Sequence, residues 1–121
     1  MLPQKLIQRI YDMFHFTPGS QVAVRTISLT PTPLFGQAKI TSTGTAVQLA
    51  VNALTNGVIV TAYSSNAAPI SIGGSSVTNT VDGTGNGYIL EAGGSVSFAC
   101  QDMSELWING TSGDIVSMAG S

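Results

Sequence analysis

From Asn56 to Ala119 the chain alternates short β-branched runs with Gly, Asn and Ser breaks at nearly even intervals. Gly57–Tyr63 (GVIVTAY), Pro69–Ile72 (PISI), Gly87–Leu90 (GYIL), Ser95–Phe98 (SVSF), Leu106–Asn109 (LWIN) and Asp114–Val116 (DIV) carry the pattern. Such punctuation predicts a mainly β fold, an antiparallel β-sandwich or a jelly-roll-like barrel. Candidate strands fall at 46–53, 57–64, 68–72, 87–91, 95–100, 105–109 and 114–118. The segment Asn52–Gly57 turns between the first two, and its Asn56-Gly57 step favours positive backbone angles. Gly73–Ser76 reads as a turn and Asp82–Gly87 as a flexible tip. Glu91–Gly94 and Thr111–Asp114 each read as a hairpin turn. With strands so short and turns so tight, little chain remains for an elaborate active-site lid.

Composition bounds the function. The chain has 121 residues, enough for one modest domain. Its hydrophobic fraction is 43% but only 8% is charged, far below the usual quarter. Ser and Thr replace the missing charge, and a net charge of −2 gives little colloidal repulsion. Such a surface suits a subunit of an assembly better than a freely diffusing enzyme. The cations Lys5, Arg9, Arg25 and Lys39 lie in the first third, whereas Asp82, Glu91, Asp102, Glu105 and Asp114 lie in the last 40 residues. This is either chance among few charges or a basis for head-to-tail pairing between subunits. The basic set is too sparse for a nucleic-acid footprint. No run approaches the length of a bilayer span, and Lys5, Arg9 and Asp12 interrupt any secretory apolar core. Folding in a cytoplasm is expected.

The first 45 residues form a separate region, an N-terminal amphipathic helix followed by an extended inter-subunit arm, with the β-sandwich domain over 46–121. Residues 2–16 carry a helical stripe of Leu6, Ile10 and Phe14, widened by Ile7, Tyr11 and Met13, opposite Gln4, Lys5, Gln8, Arg9 and Asp12. That stripe needs a surface to cover, on its own domain or on a neighbouring subunit. Its polar face has few cations for a membrane surface. Residues 21–29 are strand-like, with a change of phase at Arg25-Thr26 that marks a bulge or a strand buried on both faces. Pro31 and Pro33 then force an extended edge, arm or crossing. The apolar pair Leu34-Phe35 in that passage needs a pocket.

Reactive groups are scarce. His15, the one histidine, follows the helical stripe between two phenylalanines and lacks any supporting triad motif. Cys100, the one cysteine, shares a face with Val96 and Phe98 and reads as a buried structural thiol. Asp82–Gly87 resembles the start of a calcium loop, but Thr84 and Gly93 stand where carboxylates are needed. No cofactor and no metal is expected. Asp102 and Glu105 are spaced as a carboxylate pair, yet they fit better as caps of the turn into Leu106-Trp107-Ile108 than as glycosidase groups. Trp107 is expected to plug the sandwich or an interface. With Tyr63 and Tyr88 it also offers the stacking set of a carbohydrate-binding module.

Asn66, Ile70–Gly73, Val77, Leu90–Ser95, Asp102, Leu106–Ile108 and Gly110–Val116 together resemble a module of tailed-bacteriophage virion proteins. These are small β-sandwich structural proteins that include capsid decoration (cement) proteins and related head or tail components. The resemblance covers about the last half of the chain and rests on turn residues and short apolar runs. It implies a non-enzymatic protein of the virion, made in the host bacterial cytoplasm. It further implies a homo-oligomer, with a trimer favoured, that binds the major capsid protein or another virion protein. Asn66 would be a strand-end position and Gly113-Asp114 the final hairpin. The candidate interface comprises Leu6, Ile7, Ile10, Tyr11, Phe14, Leu34, Phe35 and Trp107. A tail or head-fibre-associated role and a carbohydrate-binding module are the alternatives.

Overall fold

The computed structural model describes residues 32–121; the expected helix over 2–16, the strand-like segment 21–29 and His15 lie outside them. One compact unit, Pro31–Ser121, holds eight strands. They are β1 (Leu34–Lys39), β2 (Val47–Gln48), β3 (Val58–Ala62), β4 (Ile70–Gly73), β5 (Tyr88–Leu90), β6 (Ser95–Phe98), β7 (Trp107–Asn109) and β8 (Ile115–Gly120). A single 3-10 turn, Met103–Glu105, precedes β7. The chain is therefore mainly β, as the punctuation predicts.

Two antiparallel four-stranded sheets form, one ordered β1-β8-β3-β6 and the other β2-β7-β4-β5. Both contribute to one core. Val58, Val60 and Ala62 of β3 and Val116 and Met118 of β8 meet Ile70, Ile72, Leu90 and Ile108 from the second sheet. Ile40, Leu49, Met103 and Leu106, from the connections, join the same cluster. Each fully buried Ile or Val is worth about 1.5–3 kcal/mol, so apolar burial must hold together a chain with so few charges. Strand alternation accounts for which side chains point inward. In β3, for example, Val58, Val60 and Ala62 are buried while Ile59 is exposed.

The first sheet begins earlier than expected. Leu34–Lys39, placed by its prolines in an inter-subunit arm, is an edge strand paired along its length with β8, from Leu34 opposite Gly120 to Lys39 opposite Ile115. Residues 31–45 thus belong with the sheets, and the expected boundary at 45/46 falls inside the unit. Leu34 and Ala38 pack against the core. Gly36 leaves room for Met118, whose terminal methyl would lie 3.4 Å from a Cβ there. Pro33 precedes the strand and removes no ladder hydrogen bond.

The turns are also different in kind. Glu91–Gly94 and Thr111–Asp114 are tight turns, with Gly94 N–H donating to Glu91 O at 2.8 Å and Asp114 N–H to Thr111 O at 3.1 Å. Neither closes a hairpin. Each carries the chain from the second sheet to the first. Asn52–Gly57 does the same. Only β4 and β5 are consecutive and paired; the other six connections cross between sheets.

Polar side chains secure the crossings. Asn66, after β3, behaves like a strand's peptide group: its Nδ2 donates to Ile115 O and its Oδ1 accepts from Ile115 N–H, both at 2.9 Å. The buried Asp114 carboxylate accepts from the backbone N–H groups of Ala67 at 2.9 Å and Ala68 at 3.2 Å. These bonds fasten the 63–69 turn to the start of β8.

Candidate interaction surface

The outer faces of the two sheets have different fates. On the β2-β7-β4-β5 sheet, Ser71, Asn109 and Trp107 alternate outward from the core residues Ile70, Ile72 and Ile108. Ser71 and Asn109 are nonetheless buried. The connection between β4 and β5 folds back over them. Val77, from that connection, is only 4% exposed and lies within contact of Gly73 and Gly87. A Cβ on Gly87 would come within 2.7 Å of a Val77 methyl, and its φ of +140° also favours glycine. Asn109 Nδ2 donates to Val77 O at 2.9 Å and to Gly44 O at 3.2 Å, tying two connections to β7. Asn86 closes the strap, donating from its side chain to Ser76 Oγ at 2.9 Å and from its backbone to Thr78 Oγ1 at 2.8 Å.

The outer face of the β1-β8-β3-β6 sheet carries no such cover from the described residues. Its register places Phe35 beside Ala119, Ala119 beside Ile59 and Ile59 beside Ser97. The next row is Gln37, Ser117, Thr61 and Ser95, the last two joined by a hydroxyl hydrogen bond of 2.7 Å. Phe35 is 78% exposed and Ile59 48%. A shallow groove of about 640 Å³ runs over β8 between them. A second, lined by Pro33, Ile59, Phe98 and Ala119 among others, continues it. Neither row holds a charge; Lys39, at the end of β1 opposite Ile115, is the one charged residue in the four strands of this sheet. The two rows thus expose an apolar pair among small, uncharged residues.

Of the expected interface residues, Leu34 turns inward and packs against the core, whereas its neighbour Phe35 stands out on the bare face. Trp107 is half-buried on the outside of the other sheet, the interior position being taken by Ile108. Phe35 and Trp107 therefore do not share a face. Leu6, Ile7, Ile10, Tyr11 and Phe14 lie outside the described residues. Ile59, Thr61, Ser117 and Ala119 were not singled out from sequence. Their signal is the alternation of the strands expected at 57–64 and 114–118, which puts them on one side together.

The carboxylates are held in turns. Asp102 caps the 3-10 turn, its Oδ1 accepting from Ser104 N–H at 2.9 Å, Ser104 Oγ at 2.8 Å and Asn52 N–H at 3.0 Å. Glu105 Oε2 reaches back to accept from Gln101 N–H at 2.8 Å and Asp102 N–H at 3.1 Å. The two acids cap the turn, as expected, and do so as a reciprocal capping box. The bonds from Ser104 backbone and side chain, and from Asn52, hold the Asp102 pKa below the ordinary Asp value. Thr84, through its hydroxyl and then its backbone N–H, does the same for Asp82. Both donors bond Asp82 Oδ1, at 2.6 and 3.0 Å, in the loop that resembles a calcium site. Among the described residues no group of three or more His, Cys, Asp or Glu side chains is placed to hold a metal ion.

Cys100 packs against the core on the face of Val96 and Phe98, as expected, but it is half-buried and not the buried thiol expected. Burial, then the carboxylate of Glu105, pushes its thiol pKa up. A thiol held protonated is a weak nucleophile. The aromatic set of the carbohydrate reading is dispersed. Tyr63 follows β3 of the first sheet, while Tyr88 and Trp107 belong to the second. Tyr88 pairs with the inward Ile72, and Trp107 with the outer-face position of Gly73. No helix among the described residues is long and apolar enough to cross a membrane. No protein-family model, curated protein or solved structure matches the chain.

Proposed function

We propose that the chain is a non-enzymatic structural protein of a tailed-bacteriophage virion, of the capsid decoration or cement kind. It would stabilise the head by binding capsid subunits. The observation that carries this reading is the bare outer face of the β1-β8-β3-β6 sheet, uncharged apart from Lys39 and crowned by Phe35 and Ile59. Such a face grips a neighbour by area and shape, with no chemistry to perform. The strand order supports the same reading. Alternate crossing into sheets ordered β1-β8-β3-β6 and β2-β7-β4-β5 is the double Greek key of an eight-stranded jelly roll, an architecture of viral capsid domains and of lectins. Architecture alone is shared by unrelated functions, so the face carries the argument. The engagement of Asp82, Asp102, Glu105 and Asp114 in backbone hydrogen bonds leaves these acids few roles in catalysis.

In this reading residues 1–33 form the reach element of a homo-oligomer, and the partner is the major capsid protein or another virion protein. A carbohydrate-binding role has less support, because Tyr63, Tyr88 and Trp107 make no common platform. The test is cryo-microscopy of particles produced by cells that express the gene, with the chain tagged. Density for the chain on the head shell is the expected result, and density only on the tail or fibres moves the role there. A chain absent from every particle sinks the proposal. In the same particles, deletion of residues 1–16 is expected to weaken attachment.

A further inference from the structure

Three asparagines of the chain are followed by glycine: Asn56, Asn86 and Asn109. Asparagine is a thermolabile residue, and glycine after it removes the side chain that would hinder attack of the next backbone nitrogen on its amide carbon. The three steps share this local chemistry. The fold holds them very differently.

Asn109 is 2% exposed, and its Nδ2 donates to both Val77 O and Gly44 O. Asn86 is exposed but held from both ends. Its Nδ2 donates to Ser76 Oγ at 2.9 Å and Ser76 O at 3.3 Å, its N–H to Thr78 Oγ1 at 2.8 Å, and its carbonyl accepts from Thr78 N–H at 2.9 Å. Asn56 is exposed in the bend before β3. Among the described residues its side chain makes a single bond, from Nδ2 to Ser121 Oγ at 3.2 Å. Gly57 N–H donates to none of the described residues. Asn56 and Gly57 together line two open surface grooves. Gly57 has a φ of +97°, and a Cβ there would strike Phe98 O. The turn therefore admits only glycine after Asn56, and the fold itself retains the labile step.

We infer that Asn56 is a site of spontaneous modification in the folded protein, by deamidation through a cyclic imide. Gly57 N gives its proton to hydroxide and attacks Asn56 Cγ. The new N–Cγ bond closes the imide, the Cγ–Nδ2 bond breaks, and Nδ2 leaves as ammonia with a proton from water, regenerating hydroxide. Water then opens the imide at either carbonyl, leaving aspartate or isoaspartate. The inference is independent of the virion reading. The product lies against the end of β8. Ser121 O accepts from Thr55 N–H and Asn56 N–H, both at 2.7 Å, and Ser121 N–H donates to Gly57 O at 3.3 Å. Isoaspartate inserts a methylene into the backbone between those donors and that acceptor, and either product turns the Nδ2 donor into a carboxylate. The strand that joins β1 to β3 is loosened at its last residues.

Incubation of the full chain in mildly alkaline native buffer, followed by peptide mapping by mass, tests this. Asn56 is expected to lose its amide first, at a rate rising in proportion to hydroxide, with an isoaspartyl fraction that an isoaspartyl methyltransferase labels. In urea the three steps are expected to convert at similar rates, because only the fold distinguishes them. Asn56→Gln is expected to abolish the early conversion; should that variant fail to fold, the map of the unaltered chain decides alone. Converted chain, separated by ion exchange, is expected to melt below the unconverted chain. A native Asn56 amide as durable as those of Asn86 and Asn109, conversion led by either of those, or the same order of conversion in urea overturns the proposal. Equal melting of converted and unconverted chain overturns the effect on β8.

Discussion

The two sheets bury their inner faces in one core but treat their outer faces in opposite ways. The β2-β7-β4-β5 sheet is roofed over β4 and β7 by its own connection, with Val77 pressed onto two glycines and Asn109 tied to the strap's backbone, while Ile89 on the edge strand β5 stays exposed. The β1-β8-β3-β6 sheet leaves Phe35 and Ile59 in the open. Both faces hold apolar side chains, so hydrophobicity alone does not separate a structural surface from an interaction surface. What separates them is whether the chain supplies its own cover. The roofed face contributes to folding stability, and the other has no such cover from the described residues.

The same change made on each face exposes the difference. Val77→Asp forces a charge under the strap and is expected to destabilise the fold by about 3–4 kcal/mol. Ile59→Asp, on the bare face, is expected to move folding by about 0.5 kcal/mol at most. Urea midpoints of the two variants measure this, and equal losses would abolish the distinction. A smaller contrast comes from polar groups. Asn109→Ala strands the buried carbonyl of Val77 beneath the roof, at a cost of about 1–3 kcal/mol. Thr61→Ala removes only the exposed hydroxyl bond to Ser95 and is expected to be close to neutral by thermal unfolding.

The smallest effect belongs to neither face but to the capping box at the end of the core. The folded Asp102 carboxyl titrates below its unfolded value. Its contribution is therefore fully present above the ordinary Asp pKa of about 4 and is lost as pH falls through the lowered folded value. Wild type should exceed Asp102→Asn in melting temperature near neutrality, and the gap should close on acidification below about pH 4. A gap independent of pH would mean that the cap acts through geometry and not through charge.

Strand positions were legible where β-branched residues cluster. The expected 57–64, 68–72, 87–91, 95–100, 105–109 and 114–118 each overlap an observed strand, though β4 runs on to Gly73 and β8 to Gly120. The run 46–53 shrinks to Val47–Gln48. β1 was missed because Gly36, Gln37, Ala38 and Lys39 have low β propensity. It is held as a strand by pairing with β8, which local sequence does not record. Pairing was the least legible property. Glu91–Gly94 and Thr111–Asp114 have hairpin residues because they need a tight turn, and turn chemistry does not say which sheet the next strand joins. Acids as caps were readable from the Asp102–Glu105 spacing. The exposure of Phe35 was not, because either member of Leu34-Phe35 can face the core until the register is known.

The position of β8 has a consequence for how the protein comes into being. It is the last of the eight strands, yet it lies between β1 and β3 and hydrogen-bonds to both. On a ribosome, β1 has no partner in its own sheet until residues 115–120 have emerged, and the exit tunnel delays their appearance further. Completion of the first sheet is thus deferred until β8 has emerged, and loss of those six residues would split that sheet rather than shorten it.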